Sequence, residues 1–146
     1  MISRDPLDVH PPVAAYSHQV EVGPAARWLV LSGQIGMRQD GEVPSDPVEQ
    51  LTVALENIRR NLTAAGMTVP DLVKITFYLV GDIDPARRRG AVADFLGDHL
   101  PTTTLLYVSG LASPALRVEI DAWAAHDERA GERRAAIGRA TTEEPR

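Results

Sequence analysis

The residues able to do chemistry in this chain of 146 are few, and most sit on runs that read as β-strands. Residues 116–125 alternate. Leu116, Val118, Ile120, Ala122 and Ala124 share one face, and Arg117, Glu119, Asp121 and Trp123 share the other. A carboxylate on such a face either pairs with a cation or stands free to move a proton and orient water. Arg117 and Lys74 are the cations that could pair with Asp121 across a sheet, so both readings stand. Residues 72–80 place Lys74, Thr76 and Tyr78 on one face and Val73, Ile75, Phe77 and Leu79 on the other. A face that mixes charge with aromatics suits a subunit interface with a partly polar cleft. The plainer alternative is a wet face on which Lys74 pairs with an acid.

Several chemistries are excluded early. There are no cysteines, so disulfides, thiolate nucleophiles and thiolate-bound metals drop out. His10, His18, His99 and His126 lack metal-ligand spacing and read as surface residues, so no metal is expected. The net charge of −5 argues against non-specific nucleic-acid binding, which depends on neutralising phosphates. No secretory leader and no apolar run long enough to span a bilayer is seen, so no membrane partner is expected and a cytoplasmic location follows by default.

The elements that must position these residues follow from periodicity. Residues 15–22 read as a first strand and 27–36 as a second, joined by a Gly23-Pro24 turn. Asp40-Gly41 marks a tight turn in the next loop. A helix follows, capped by Ser45 or Asp46, with Pro47 at its first position and Gly66 at its end. Its stripe of Val48, Leu51, Leu55, Ile58, Leu62 and Ala65 faces a core. The strand 72–80 comes next. A second helix starts at Asp84-Pro85, carries Val92, Phe95 and Leu96, and ends near His99. Strands at 103–108 and 116–125 complete the domain. Two helices and one sheet give a two-layer α+β domain over residues 1–125, with both helices on one sheet face. Residues 126–146 mix arginines with acids and read as a solvated extension, frayed into helix around 128–137.

Five fragments now matter together: Tyr16-Ser-His-Gln-Val20, Leu31-Ser-Gly-Gln-Ile-Gly36, the helix 50–67, Asp71–Leu79 and Val118–Ala124. In this order and spacing the chain resembles the RidA/YjgF family over about residues 11–125. The resemblance implies a chorismate-mutase-like fold with a mixed sheet. It also implies a homotrimer with clefts between subunits, and hydrolysis of small reactive enamines and imines without metal or organic cofactor. A non-catalytic trimer that binds or senses a small metabolite is the alternative. An endoribonuclease ranks lower, because the chain is acidic and lacks a His-Lys constellation.

The resemblance also assigns residues. Tyr16, Ser32 and Gly33 match pocket positions, and Asp121 takes the place of the family's glutamate as general base or water-orienting group. The family grips the substrate carboxylate with an arginine in a Pro-Ala-Arg-Ser setting. Here that setting is Pro101-Thr102-Thr103-Thr104, so Thr103 occupies the clamp position, and Leu105 stands where a cysteine is frequent. Arg38 or Arg89 could replace the clamp from another direction. The expectation is therefore a family deaminase with altered substrate preference.

Overall fold

The computed structural model describes residues 1–127. Six strands and two α-helices follow in the order β1 (Ile2–Arg4), β2 (Gln19–Glu21), β3 (Arg27–Ile35), α1 (Pro47–Ala64), β4 (Leu72–Leu79), α2 (Pro85–Leu96), β5 (Thr102–Tyr107) and β6 (Val118–His126). The main sheet has the order β3-β6-β4-β5. Strand β6 is antiparallel to both its neighbours, and β4 and β5 are parallel, so the sheet is mixed as expected. Strands β1 and β2 form a separate antiparallel pair.

The first strand is far shorter than its residue types suggest. Its N–H groups are taken before any ladder can form. Tyr16 donates to the Ala14 carbonyl, Ser17 to that of Pro101, and His18 to the Asp5 carboxylate. Only Gln19–Glu21 remain extended, and they pair with the unforeseen β1.

Helix α1 begins where capping chemistry requires. The Asp46 side chain accepts from Val48 N at 3.1 Å, and Pro47 needs no N–H partner. At the far end Gly66 adopts φ +67°, the left-handed turn that glycine enters without penalty. Val48, Leu51, Leu55, Ile58 and Leu62 are buried, together with Ala54, against β3 and β6. Full burial of each such aliphatic chain stabilises the fold by about 1.5–3 kcal/mol. Helix α2 stops at Leu96 rather than near His99, because Gly97 turns left-handed at φ +57°. It packs beside α1, and Arg87 of α2 forms an ion pair with Asp46.

The core side of the sheet is Ile75, Phe77 and Leu79 of β4 with Val118, Ile120, Ala122 and Ala124 of β6, all nearly or wholly inaccessible. At the start of β4 the β4–β6 register slips between Leu72 and Lys74. That slip hands the first core position to Leu72 instead of Val73. His99 and His126 are half-buried and not free on the surface. His99 Nε2 meets the Leu72 carbonyl at 2.7 Å, and His126 Nδ1 meets Asp71 at 2.8 Å.

Two residues lock α1 to the sheet. Gln50 is 1% exposed; its amide donates to the carbonyls of Pro44 and Ala115, and its oxygen accepts from Arg117 N at 2.8 Å. Opposite it, a Cβ on Gly36 would lie 2.5 Å from Gln50 Cα. That neighbour is helix backbone and cannot swing aside. Gly36→Ala is expected to cost about 1–3 kcal/mol by overpacking, read as a lowered urea midpoint at unchanged slope.

Candidate active site

The sheet face away from the helices carries the polar groups. Strand β4 presents Lys74, Thr76 and Tyr78, and β6 presents Glu119, Asp121 and Trp123. Trp28 and Trp123 meet edge to face at 6.4 Å while staying about half exposed, and Val30 beside them is 56% exposed. This is an apolar patch on a face that also bears charge.

A bulge builds the polar end of this face. In the β3–β6 pairing, Leu31 is opposite Ala122 and Gln34 is opposite Ile120. Ser32 and Gly33 therefore share the single partner position of Asp121. The missing side chain at Gly33 leaves room that Glu119 fills. A Cβ there would lie 1.9 Å from Glu119 Oε1. Asp121 accepts a hydrogen bond from the Tyr78 hydroxyl at 2.9 Å. Gly33, Tyr78, Glu119 and Asp121, with Val108, Gly110 and Leu111, line an open groove of about 260 Å³.

The hydrogen bond to Asp121, followed by burial and then the nearby negative charge, holds the Tyr78 phenol above its ordinary value. Proton binding is thus tighter in the folded state. The stabilisation is complete below the ordinary tyrosine value, about 10, and is lost as pH rises through the higher folded value. Tyrosinate absorbance, taken as the difference from Tyr78→Phe, is expected to show this late titration. Asp121→Asn is expected to move it down.

Asp121 is paired with neither Arg117 nor Lys74. The Arg117 guanidinium donates to the carbonyls of Val80 and Asp82. The Lys74 ammonium donates to Thr104 Oγ1 at 2.5 Å. Among the described residues, no ion pair engages Glu119 or Asp121.

The sequence-assigned residues fall into two groups. Ser32, Gly33 and Asp121 come together at the bulge. Tyr16, Thr103 and Leu105 lie toward the opposite edge. Three strand spacings, about 14 Å, separate β3 from β5. Thr103 and Leu105 are in register with Ile75 and Phe77 and so lean toward the helix side. The Thr103 hydroxyl donates to the Pro101 carbonyl at 3.3 Å. Tyr16 sits near this edge, tethered through Ser17 N to the same carbonyl, with its ring edge-on to His18. Arg38 is bound to Glu42 and Glu49, and Arg89 is exposed on α2, so neither guanidinium lines the groove.

Of the two groove acids, Glu119 is the one that sequence reading left without a role. It has the same strand parity as Asp121, and only the bulge distinguishes them. Larger hollows of about 570, 550 and 410 Å³ lie along α1. Their arginines are paired, Arg59 and Arg60 with Glu56, Arg38 with Glu49 and Arg87 with Asp46. No group of His, Cys, Asp and Glu among the described residues could hold a metal, and no described helix is long and apolar enough to cross a membrane.

Comparison with known proteins agrees with this fold. A family model described as Endoribonuclease L-PSP matches residues 8–126. A RutC family protein of Pyrococcus horikoshii is 34% identical over 113 residues, covering 76% of this chain and 86% of that protein. The 2-iminobutanoate/2-iminopropanoate deaminase of Escherichia coli is 29% identical over 114 residues, 75% of this chain and 86% of its own length. Among solved structures, the Rid-family protein YyfB of Yersinia pestis superposes with TM-score 0.75 at 29% identity, over 86% of this chain and 98% of that one.

Proposed function

Because the chain belongs to the RidA/YjgF family, we propose that it is a hydrolytic deaminase of a small imine or enamine metabolite. The observation that carries this reading is the Glu119 carboxylate, seated across Gly33 and free of any paired cation among the described residues, beside an Asp121 steadied by Tyr78. An imine carbon is already electrophilic. The reaction needs an oriented water, a proton acceptor and a means of keeping the imine protonated. Glu119 takes a proton from water as its oxygen bonds to the imine carbon. The same proton then goes to nitrogen, and as the C–N bond breaks the freed Glu119 carboxylate takes the proton of the new hydroxyl. The products are a carbonyl compound and ammonia, which leaves with that proton as ammonium. Asp121 orients the water or the iminium N–H. No cofactor enters this balance.

The catalytic unit in this reading is a homotrimer. A cleft between subunits would bring the Tyr16, Thr103 and Leu105 edge of one copy to the groove of the next. The half-exposed Trp28, Val30 and Trp123 supply apolar surface for such contact. Sedimentation is expected to give three times the chain mass; a monomer would remove the shared cleft.

The assay generates imines in place. A flavin amino-acid oxidase with alanine supplies 2-iminopropanoate, and a flavin amine oxidase with a simple alkylamine supplies a carboxylate-free imine. Faster ammonia release from either, lost in Glu119→Gln, supports the deaminase. No acceleration of either would leave the non-catalytic binding trimer. That second reading draws on Thr103, which offers a neutral hydroxyl where the family clamps a carboxylate.

A further inference from the structure

The groove departs from a carboxylate-binding site in a consistent direction. Its two ionisable acids, Glu119 and Asp121, are two residues apart on one strand face, and among the described residues no cation lines it. Among the described residues, three cations that could have been turned toward it are held elsewhere. Lys74 is on Thr104, Arg117 on two backbone carbonyls, and Arg38 on two glutamates. The β5 edge that a neighbouring copy would contribute begins Thr102-Thr103-Thr104-Leu105-Leu106, which is uncharged, and the nearby Arg88 donates to the Tyr107 hydroxyl. The one hydroxyl among the described lining residues, that of Tyr78, already donates to Asp121. An anionic substrate group would meet like charge here, with no free side-chain donor among the described lining residues to offset it.

We infer that the groove selects small cations without a carboxylate: protonated imines or amidine-like ions with an uncharged remainder. This rests on the deaminase reading for the place of the site but makes a separate claim about its charge. Two carboxylates favour the protonated imine, which is also the form that water attacks fastest. Size adds a limit. At about 260 Å³ the groove lies below the usual range for drug-sized ligands, which suits a small substrate. Tyr78 and Leu111 flank the acids and offer apolar surface to a short alkyl group.

Acetamidinium and acetate test this directly, being planar, nearly isosteric and opposite in charge. Each is titrated into the full-length protein while the backbone amide resonances of Gly33, Glu119 and Asp121 are followed. Acetamidinium is expected to bind roughly tenfold or more tightly than acetate, a modest factor for charge-assisted hydrogen bonds. Glu119→Gln and Asp121→Asn are each expected to shrink that ratio, and the double variant to erase it, with sedimentation unchanged. Equal or tighter acetate binding would overturn the inference, as would the absence of binding by either ion. Failure of the deaminase reading looks different: the cation preference would persist while neither in-place imine is hydrolysed faster.

Discussion

Gln50→Leu is expected to lower stability by about 2–5 kcal/mol. The leucine fills similar space, so no cavity term enters. The loss arises from three backbone groups deprived of partners at once. The Pro44 and Ala115 carbonyls lose their donor, and Arg117 N loses its acceptor. Each costs about 1–3 kcal/mol when it stays dry, and partial hydration of the two loop groups brings the sum into the stated range. For a domain of this size the melting temperature should fall by roughly 8–20 °C. The side chain joins the loop before α1, the loop before β6 and the first turn of α1, so its loss should loosen the start of β6. Gly33 and Glu119 amides are then expected to lose hydrogen-exchange protection before the α1–α2 contact does. Gly36 approaches the same backbone, so Gly36→Ala and Gln50→Leu should combine less than additively.

Legibility differed from element to element for physical reasons. Helix α1 was readable because its stripe, its proline and its glycine all point to the same boundaries, and Asp46 does cap it. The burial of alternate residues on β6 was readable because helices cover one face of that strand and not the other. What escaped depended on long-range competition. Residues 15–18 have strand-like types, but a carboxylate at Asp5 and a carbonyl at Pro101 claim two of their N–H groups. His126 read as a surface residue because its partner, Asp71, is 55 positions away. Register is the clearest case. No pattern within residues 27–36 shows that Ser32 and Gly33 both stand opposite Asp121. That slip gives Glu119 its seat. A serine-glycine pair inside a strand is the one local hint of such a bulge. The expected frayed helix at 128–137 lies outside the described residues.

The catalytic prediction follows from the same bulge. In the proposed reaction Glu119→Gln is expected to lower kcat/KM by about 10²–10⁴-fold, the usual range for losing a positioned proton acceptor. Glutamine keeps the shape and a hydrogen-bonding oxygen, so binding should change less than kcat. Asp121→Asn should cost less, roughly tenfold, because asparagine can still accept from Tyr78 and hold it in place. Gly33→Ala separates the two acids by geometry alone. The added methyl would lie 1.9 Å from Glu119 Oε1, 2.7 Å from its Cδ and 2.9 Å from its Cγ, so the whole side chain must turn about its first torsion, which it can do without moving backbone. Stability should therefore stay within about 1 kcal/mol of the parent. Activity should fall toward that of Glu119→Gln, because a misplacement of 1 Å can cost about 10²-fold. Tyr78 should keep its high titration, since its partner Asp121 is undisturbed. If Gly33→Ala keeps full activity, or if Asp121→Asn is the more damaging substitution, proton transfer belongs to Asp121. The bulge would then serve only to aim Ser32 and Gly33 at that carboxylate.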